Sequence, residues 1–406
     1  MSPKLSRRAL LGGAGAGIAA LTTGVADARI SPNSLSPLIG PGYRPVDRDE
    51  IGLWQQMERV EEEVAGSNIL IKDPVLNKYL QGLIGKVGGP AAKDMRIYLA
   101  RIPEFNAVMF PTGFTVIFSG LLLRMRDEAQ LAGVIAHEST HFLLKHQIRS
   151  FRDLKKKSDF FAFGAMAAGM VGGATGNYTG DLVQLAELGT VLSLYRYSRV
   201  AEAESDAMGL KLITQAGYDP MSMSETWDQL ITEVEESAKV RRKLPNRGYS
   251  IFASHPAPRT RMTDLRASAT ELAVTGRSYD RGRERYLKAI GPIRQSLVED
   301  QVKLNDPGAS DFVVRTLAKD GWNGLLWFAS GEVNRLRNGV TDQQRAAQAY
   351  ASSVQFPDAP PDAWRWHGIM LMKAGRRDEG RTALQRYLTM APSAPDAPFV
   401  RQMIVS

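Results

Sequence analysis

The 406-residue sequence predicts an α+β fold in two parts: a mostly helical unit with a small sheet, then an all-helical array. Three observations carry this. Most segments repeat their apolar residues at helical spacing, and only residues 95–100 and 114–118 read as strands. The pentapeptide His137-Glu138-Ser139-Thr140-His141 sits in an apolar run, Leu131-Ala132-Gly133-Val134-Ile135-Ala136 before it and Phe142-Leu143-Leu144 after it. Beyond residue 280 a Trp-x3-Gly frame occurs twice, at Trp327/Gly331 and Trp364/Gly368, running on to Pro357 and Pro392.

In chain order, residues 1–28 read as a targeting segment. Lys4, Arg7 and Arg8 form a basic head, and residues 9–21 are a Gly/Ala/Leu stretch too short to span a bilayer comfortably. Ala26-Asp27-Ala28 offers small residues for cleavage after Ala28. Ser6-Arg7-Arg8-Ala9-Leu10-Leu11 looks like a twin-arginine signal, so the expected location is periplasmic; a general secretory signal and an uncleaved anchor are the alternatives. Residues 29–50, with Pro32, Pro37, Pro41 and Pro45, read as an extended leader without a core. Residues 51–88 have helical spacing, broken near Asp73-Pro74. Residues 114–118 are expected to form an edge strand before the His137 helix, with residues 106–113 leading into it; plain core packing is the alternative. An edge can align an extended peptide. Residues 160–176 are apolar and glycine-rich, and read as a short buried or flexible helix near the cleft, with membrane contact as the lesser reading.

Composition narrows the chemistry. Charged residues make up 23% and hydrophobic ones 44%, a globular balance. Without cysteine, disulfides and thiolate sites are excluded, so a metal must use imidazole and carboxylate. Of the net charge of +8, residues 1–28 carry +2, because Lys4, Arg7 and Arg8 face only Asp27. The basic runs Lys155-Lys156-Lys157 and Arg241-Arg242-Lys243 have no nucleic-acid-binding motif beside them. They read as solvated surface, with peripheral contact to anionic lipid as the lesser reading.

On a helix, His137 and His141 share a face, the geometry of two zinc ligands, and Glu138 can serve as general base. They are two of only five histidines. The segment Tyr197-Ser198-Arg199-Val200-Ala201-Glu202-Ala203-Glu204-Ser205-Asp206 predicts a second helix. There Glu202 and Asp206 lie one turn apart, while Glu204 points to the other side. A carboxylate ligand beside a carboxylate that holds a ligating imidazole is a usual pairing; a solvated acidic face is the alternative.

These motifs occur in the order Asn106-Ala107-Val108-Met109-Phe110-Pro111-Thr112-Gly113, Ser119-Gly120-Leu121-Leu122, His137 to His146, Ser198-Arg199 to Asp206, and Ser254-His255-Pro256 followed by Arg261. Over about residues 50–270 the chain resembles the HtpX/BepA-type zinc metalloendopeptidases. It differs in having Thr112 where the family usually has Gly and Ser205 where it usually has Ala.

The resemblance implies a zincin-type (gluzincin) domain over 51–275 with one Zn²⁺ per chain held by His137, His141 and Glu202. Glu138 would take the proton of the attacking water. His255 would either donate to the oxyanion or occupy the fourth zinc position as a gate. Asp206 would orient a ligating imidazole, and His146 would do related work or cap the helix end. Asn106, Gly113, Thr115 and Arg199 are the candidate substrate contacts.

Residues 280–406 resemble tetratricopeptide repeats, whose concave surfaces hold segments of other proteins. The implied function is cleavage of misfolded or misassembled envelope and outer-membrane proteins, with the outer-membrane assembly machinery as a partner. The rivals are a periplasmic chaperone or scaffold with little protease activity, and a zinc hydrolase of a non-peptide bond.

Overall fold

The computed structural model describes residues 38–156, 197–241, 255 and 258–405. The targeting segment, the glycine-rich run 160–176 and residues 242 and 243 lie outside the described residues. The expected break at Asp73-Pro74 is a helix start. Helix α1 spans Arg48–Gly66, and α2 spans Pro74–Val87. The Asp73 side chain accepts from the amides of Val75 and Leu76, while Pro74 occupies the first turn, where no amide is needed. Part of the leader has a core contact after all. Ile39 is buried, and its amide donates to the Leu143 carbonyl at 3.0 Å.

Three strands follow: β1 (Arg96–Ala100), β2 (Ala107–Met109) and β3 (Phe114–Phe118), in the order β1-β3-β2. β1 runs parallel to β3 with Arg96 opposite Phe114, and β2 runs antiparallel with Met109 opposite Thr115. This corrects one expectation: β3 is the central strand, buried along its whole length, and β2 is an edge. The continuous run Phe-Thr-Val-Ile-Phe reads as a strand covered on both faces, which suits the centre of a sheet. Gly113, at φ +85°, makes the left-handed turn between β2 and β3 that a side chain would strain.

Helices α3 (Ser119–Arg124), α4 (Glu128–Leu143) and α5 (His146–Lys156) come next, then α6 (Arg199–Gln215), α7 (Met221–Arg241) and α8 (Pro258–Leu272). α4 is buried almost all round. Its first turn is capped by Asp127, which accepts from the Gln130 amide at 3.0 Å. It ends where Lys145 turns left-handed at φ 54°, so His146 opens α5 instead of capping α4.

The chain continues as α9 (Arg283–Ile290), α10 (Arg294–Lys303), α11 (Pro307–Leu317), α12 (Gly324–Arg337), α13 (Val340–Ser353), α14 (Pro361–Lys373), α15 (Arg377–Met390) and α16 (Ala397–Val405). One hydrophobic core runs from Ile39 through Tyr286, Leu297 and Val313 to Ala329, so it does not stop at the expected junction near 280. The segment after 280 is fastened to the start of α4. Arg281 pairs with Asp127 at 2.6 Å, Arg285 with Glu128 at 2.9 Å, and the Arg281 carbonyl accepts from the Ala129 amide. Deeper in, buried Arg124 joins Glu233 at 2.6 Å and Gln301 at 2.8 Å.

Beyond this, α12 packs on α13 and α14 on α15. The glycine of each Trp-x3-Gly frame lies at the crossing. A Cβ on Gly331 would stand 2.4 Å from the Tyr350 ring, and one on Gly368 would stand 2.8 Å from Leu384 Cγ. Among the described residues no helix is long and apolar enough to cross a membrane.

Candidate metal centre

The site forms where α4 meets α6. The helices approach closely because Gly209 has no side chain: a Cβ there would stand 3.1 Å from His137 N and 3.3 Å from its Cα. Close approach brings the Glu202 and Asp206 face of α6 onto the two imidazoles. His137 Nε2 lies 3.1 Å from His141 Nε2, and Glu202 carboxylate oxygens lie 3.7 Å from each. A tetrahedral Zn²⁺ with bonds of about 2.0–2.1 Å separates its ligand atoms by about 3.4 Å. The three observed separations bracket that value, so these residues fit the ion. The charge balance agrees. When ionised, Glu138, Glu202 and Asp206 put three negative charges in this buried cluster, against Arg261 and, when protonated, His255. A bound cation would offset the excess of negative charge.

Each imidazole is held from behind. His137 Nδ1 lies 3.0 Å from Asp206 Oδ1. Asp206 accepts two bonds from Arg261, at 2.7 Å and 2.6 Å, and Arg261 also pairs with Glu202 and lies over the Trp227 ring. Burial pushes the Asp206 carboxyl up, but Arg261 outweighs it and holds the group at about 2. Burial, reinforced by the neighbouring imidazoles, keeps His141 well below its usual range, in the neutral form a ligand needs. Tyr197 stacks on His141 at 3.6 Å between centroids.

Glu138 is buried, and burial pushes its carboxyl up, making it a better base. Its Oε2 accepts from the Met109 amide at 3.2 Å, so an outward N–H of β2 holds it. The Met109 carbonyl accepts from Gln147 Nε2 at 2.8 Å. His255 Nδ1 lies 3.0 Å from both Glu202 oxygens, and its Nε2 is 3.5 Å from Glu138 Oε1. Burial alone would lower the His255 pKa; Glu202 and Glu138 more than offset this and hold it above its usual range. The donor atoms of His137, Glu138, His141 and His255 all lie within 4.8 Å of one another. An apolar cavity adjoins them, lined by Phe105, Val134, Met223, Trp227 and Leu230.

The candidate substrate contacts are less concentrated. Asn106 is buried at the foot of β2, where its Oδ1 accepts from the Ala107 amide. Gly113 packs near the Phe142 ring, and Thr115 is buried with its hydroxyl against Met109 Sδ. Arg199 is exposed in the first turn of α6.

Arg261, Tyr197, Gln147 and Glu204 have structural parts that single-sequence reasoning did not assign. Arg261 was visible as the end of the Ser-His-Pro motif, but nothing in one sequence shows that it meets Asp206. Glu204 does point away from the metal face, yet it meets His146 Nε2 at 2.9 Å.

Removing Arg261 tests how much it offsets buried charge. Arg261→Leu should destabilise the fold by about 3–5 kcal/mol, because Asp206 is left buried without its cation. Urea denaturation reads this directly, and a loss under about 1 kcal/mol would contradict it.

Two imidazoles from one buried helix, a carboxylate from a second and a further carboxylate beside the first imidazole make a donor set that fits a metal ion. Residues 71–269 match the model of Peptidase family M48. The chain is similar to the Beta-barrel assembly-enhancing protease of Escherichia coli, at 25% identity over 84% of this chain and 61% of that protein. It is also similar to the Putative beta-barrel assembly-enhancing protease of Vibrio cholerae, at 28% over 50% and 41%, and to Metalloprotease LoiP of Escherichia coli, at 29% over 43% and 61%. The chain thus spans about three-fifths of the length of the first of these relatives.

Proposed function

We propose that this protein is a zinc-dependent metalloendopeptidase of the cell envelope. One observation carries the reading: His137 Nε2, His141 Nε2 and the Glu202 carboxylate converge within 3.7 Å, with Glu138 beside them. His137, His141 and Glu202 would hold Zn²⁺, which would supply Lewis acidity toward a peptide carbonyl and a water. The chain's own groups do the rest. Glu138, held by the Met109 amide, takes a proton at its free oxygen and returns it to the leaving amine. Asp206 and Arg261 keep His137 oriented. His255 either donates to the developing oxyanion or closes the site until substrate displaces it. The apolar cavity beside Glu138 suits an apolar side chain next to the scissile bond. Cleavage of casein that is abolished by a chelator and restored by one equivalent of Zn²⁺ tests this; chelator-resistant cleavage refutes it.

The similarity to proteins named for β-barrel assembly supports a misassembled outer-membrane or envelope protein as client. The α12–α13 and α14–α15 pairs, read as tetratricopeptide-like units, are the proposed recruiting surface. Photo-crosslinkers on α12 and α14 should then capture client in a Glu138→Gln background, while those on α13 and α15 should not. A second reading, a chaperone or scaffold with a latent site, draws on His255, whose imidazole bridges Glu202 and Glu138.

Periplasmic location by the twin-arginine route is also proposed. Arg7→Lys with Arg8→Lys preserves charge but removes the pair. The protein should then accumulate in the cytoplasm with its leader attached, as fractionation and immunoblotting would show. Unchanged export would point to the general secretory route.

A further inference from the structure

His141 has two ring nitrogens and each has a partner. Nε2 faces His137 Nε2 and Glu202, the side on which a metal would sit. Nδ1 lies 2.8 Å from His146 Nδ1. Two nitrogens at that distance share one proton, so one ring donates and the other accepts. Resting on the reading of His141 as a ligand through Nε2, its proton must be on Nδ1. It therefore donates to His146 Nδ1, which must be bare. The neutral His146 ring then carries its proton on Nε2, and that nitrogen lies 2.9 Å from Glu204 Oε2. The same oxygen accepts from Arg149 Nη2 at 2.6 Å. Among the described residues, Ser205 Oγ, 3.3 Å from His146 Nδ1, is the further polar neighbour of that nitrogen. His146 is buried, with 1% of its surface exposed, so water does not readily replace these partners.

We infer that His146 and Glu204 are positioning residues that set the proton on His141 and aim its Nε2 at the metal, with Arg149 holding Glu204 in place. The carboxylates of α6 then divide the work by their spacing. Glu202 faces the metal, Asp206 holds His137 directly, and Glu204, on the far side, holds His141 through a second imidazole. Asp206 is anchored by Arg261 and Glu204 by Arg149, so each ligand imidazole has its own arginine-fixed carboxylate. The purpose is electronic as well as geometric. A ring that donates a hydrogen bond from Nδ1 is a more basic ligand at Nε2.

The test uses the full chain and Zn²⁺ alone as probe. Zinc affinity is read by competition with a chromophoric chelator, and fold by circular dichroism. Glu204→Leu and His146→Phe should each weaken zinc binding by about 10- to 100-fold. Glu204→Gln keeps an acceptor oxygen and should stay within about 3-fold of the parent. Parent-like affinity in Glu204→Leu, or Glu204→Gln as weak as Glu204→Leu, would overturn the relay. Nitrogen-15 NMR of the histidine side chains in the zinc-loaded parent needs no variant. It should show His146 protonated at Nε2 and bare at Nδ1, and the opposite tautomer would overturn the proposal. His141→Ala separates this from the underlying reading: if that variant binds zinc as the parent does, His141 is not a ligand at all.

Discussion

Glu138→Gln is expected to lower peptide-bond hydrolysis by about 10²- to 10⁴-fold while leaving the fold and the zinc content unchanged. The geometry separates these effects. Glutamine has the shape of glutamate, and its amide oxygen can still accept from the Met109 amide at the position Glu138 Oε2 holds now. What it cannot do is take a proton. Glu138 is buried beside three imidazoles and its carboxyl is pushed up by burial, so the substitution removes a base whose strength the site enhances. Zinc content by atomic absorption, with initial rates on casein and on a misfolded outer-membrane protein, reads both sides. A variant that cleaves as fast as the parent would remove Glu138 from the mechanism. Loss of zinc together with activity would recast it as a ligand.

The second large effect is expected at Glu202. Glu202→Ala should take the bound zinc from about one per chain to near zero after dialysis, because two imidazoles on one helix make an incomplete ligand set. The fold should survive, since Arg261 keeps its paired hydrogen bonds to Asp206 and α6 keeps its close crossing with α4 at Gly209. Circular dichroism and metal analysis on the same sample separate these outcomes. Full zinc retention would mean that another carboxylate completes the set. Asp206, already 3.0 Å from His137 Nδ1, would then be the group to test.

Much of this centre is legible in the residues because helices make spacing into geometry. His137 and His141 are four apart, as are Glu202 and Asp206, and a helix puts each pair on one face whatever the rest of the chain does. The helix starts were equally local: Asp73 with Pro74 carries its own capping chemistry. The Trp-x3-Gly frames also proved local in cause, since each glycine marks a helix crossing that a side chain would block. The sheet was harder. Residues 114–118 form the expected strand, but strand order depends on pairing between distant segments. The three-residue β2, too short to show a period, took the edge beside α4 and so supplies the amide that holds Glu138.

The sequence alone determined the chemistry: which side chains can hold a metal without cysteine, which carboxylate stands next to the first imidazole, and which residues share a helical face. Only the tertiary structure decided what stands behind them. Glu204 meets His146, Arg261 meets Asp206, and Arg281 and Arg285 fasten the start of α4. These partners are separated by tens to more than a hundred residues along the chain. No period in the sequence encodes such contacts. They arise because buried charges must find opposite charges or hydrogen bonds once the helices pack, and packing is a property of the whole core.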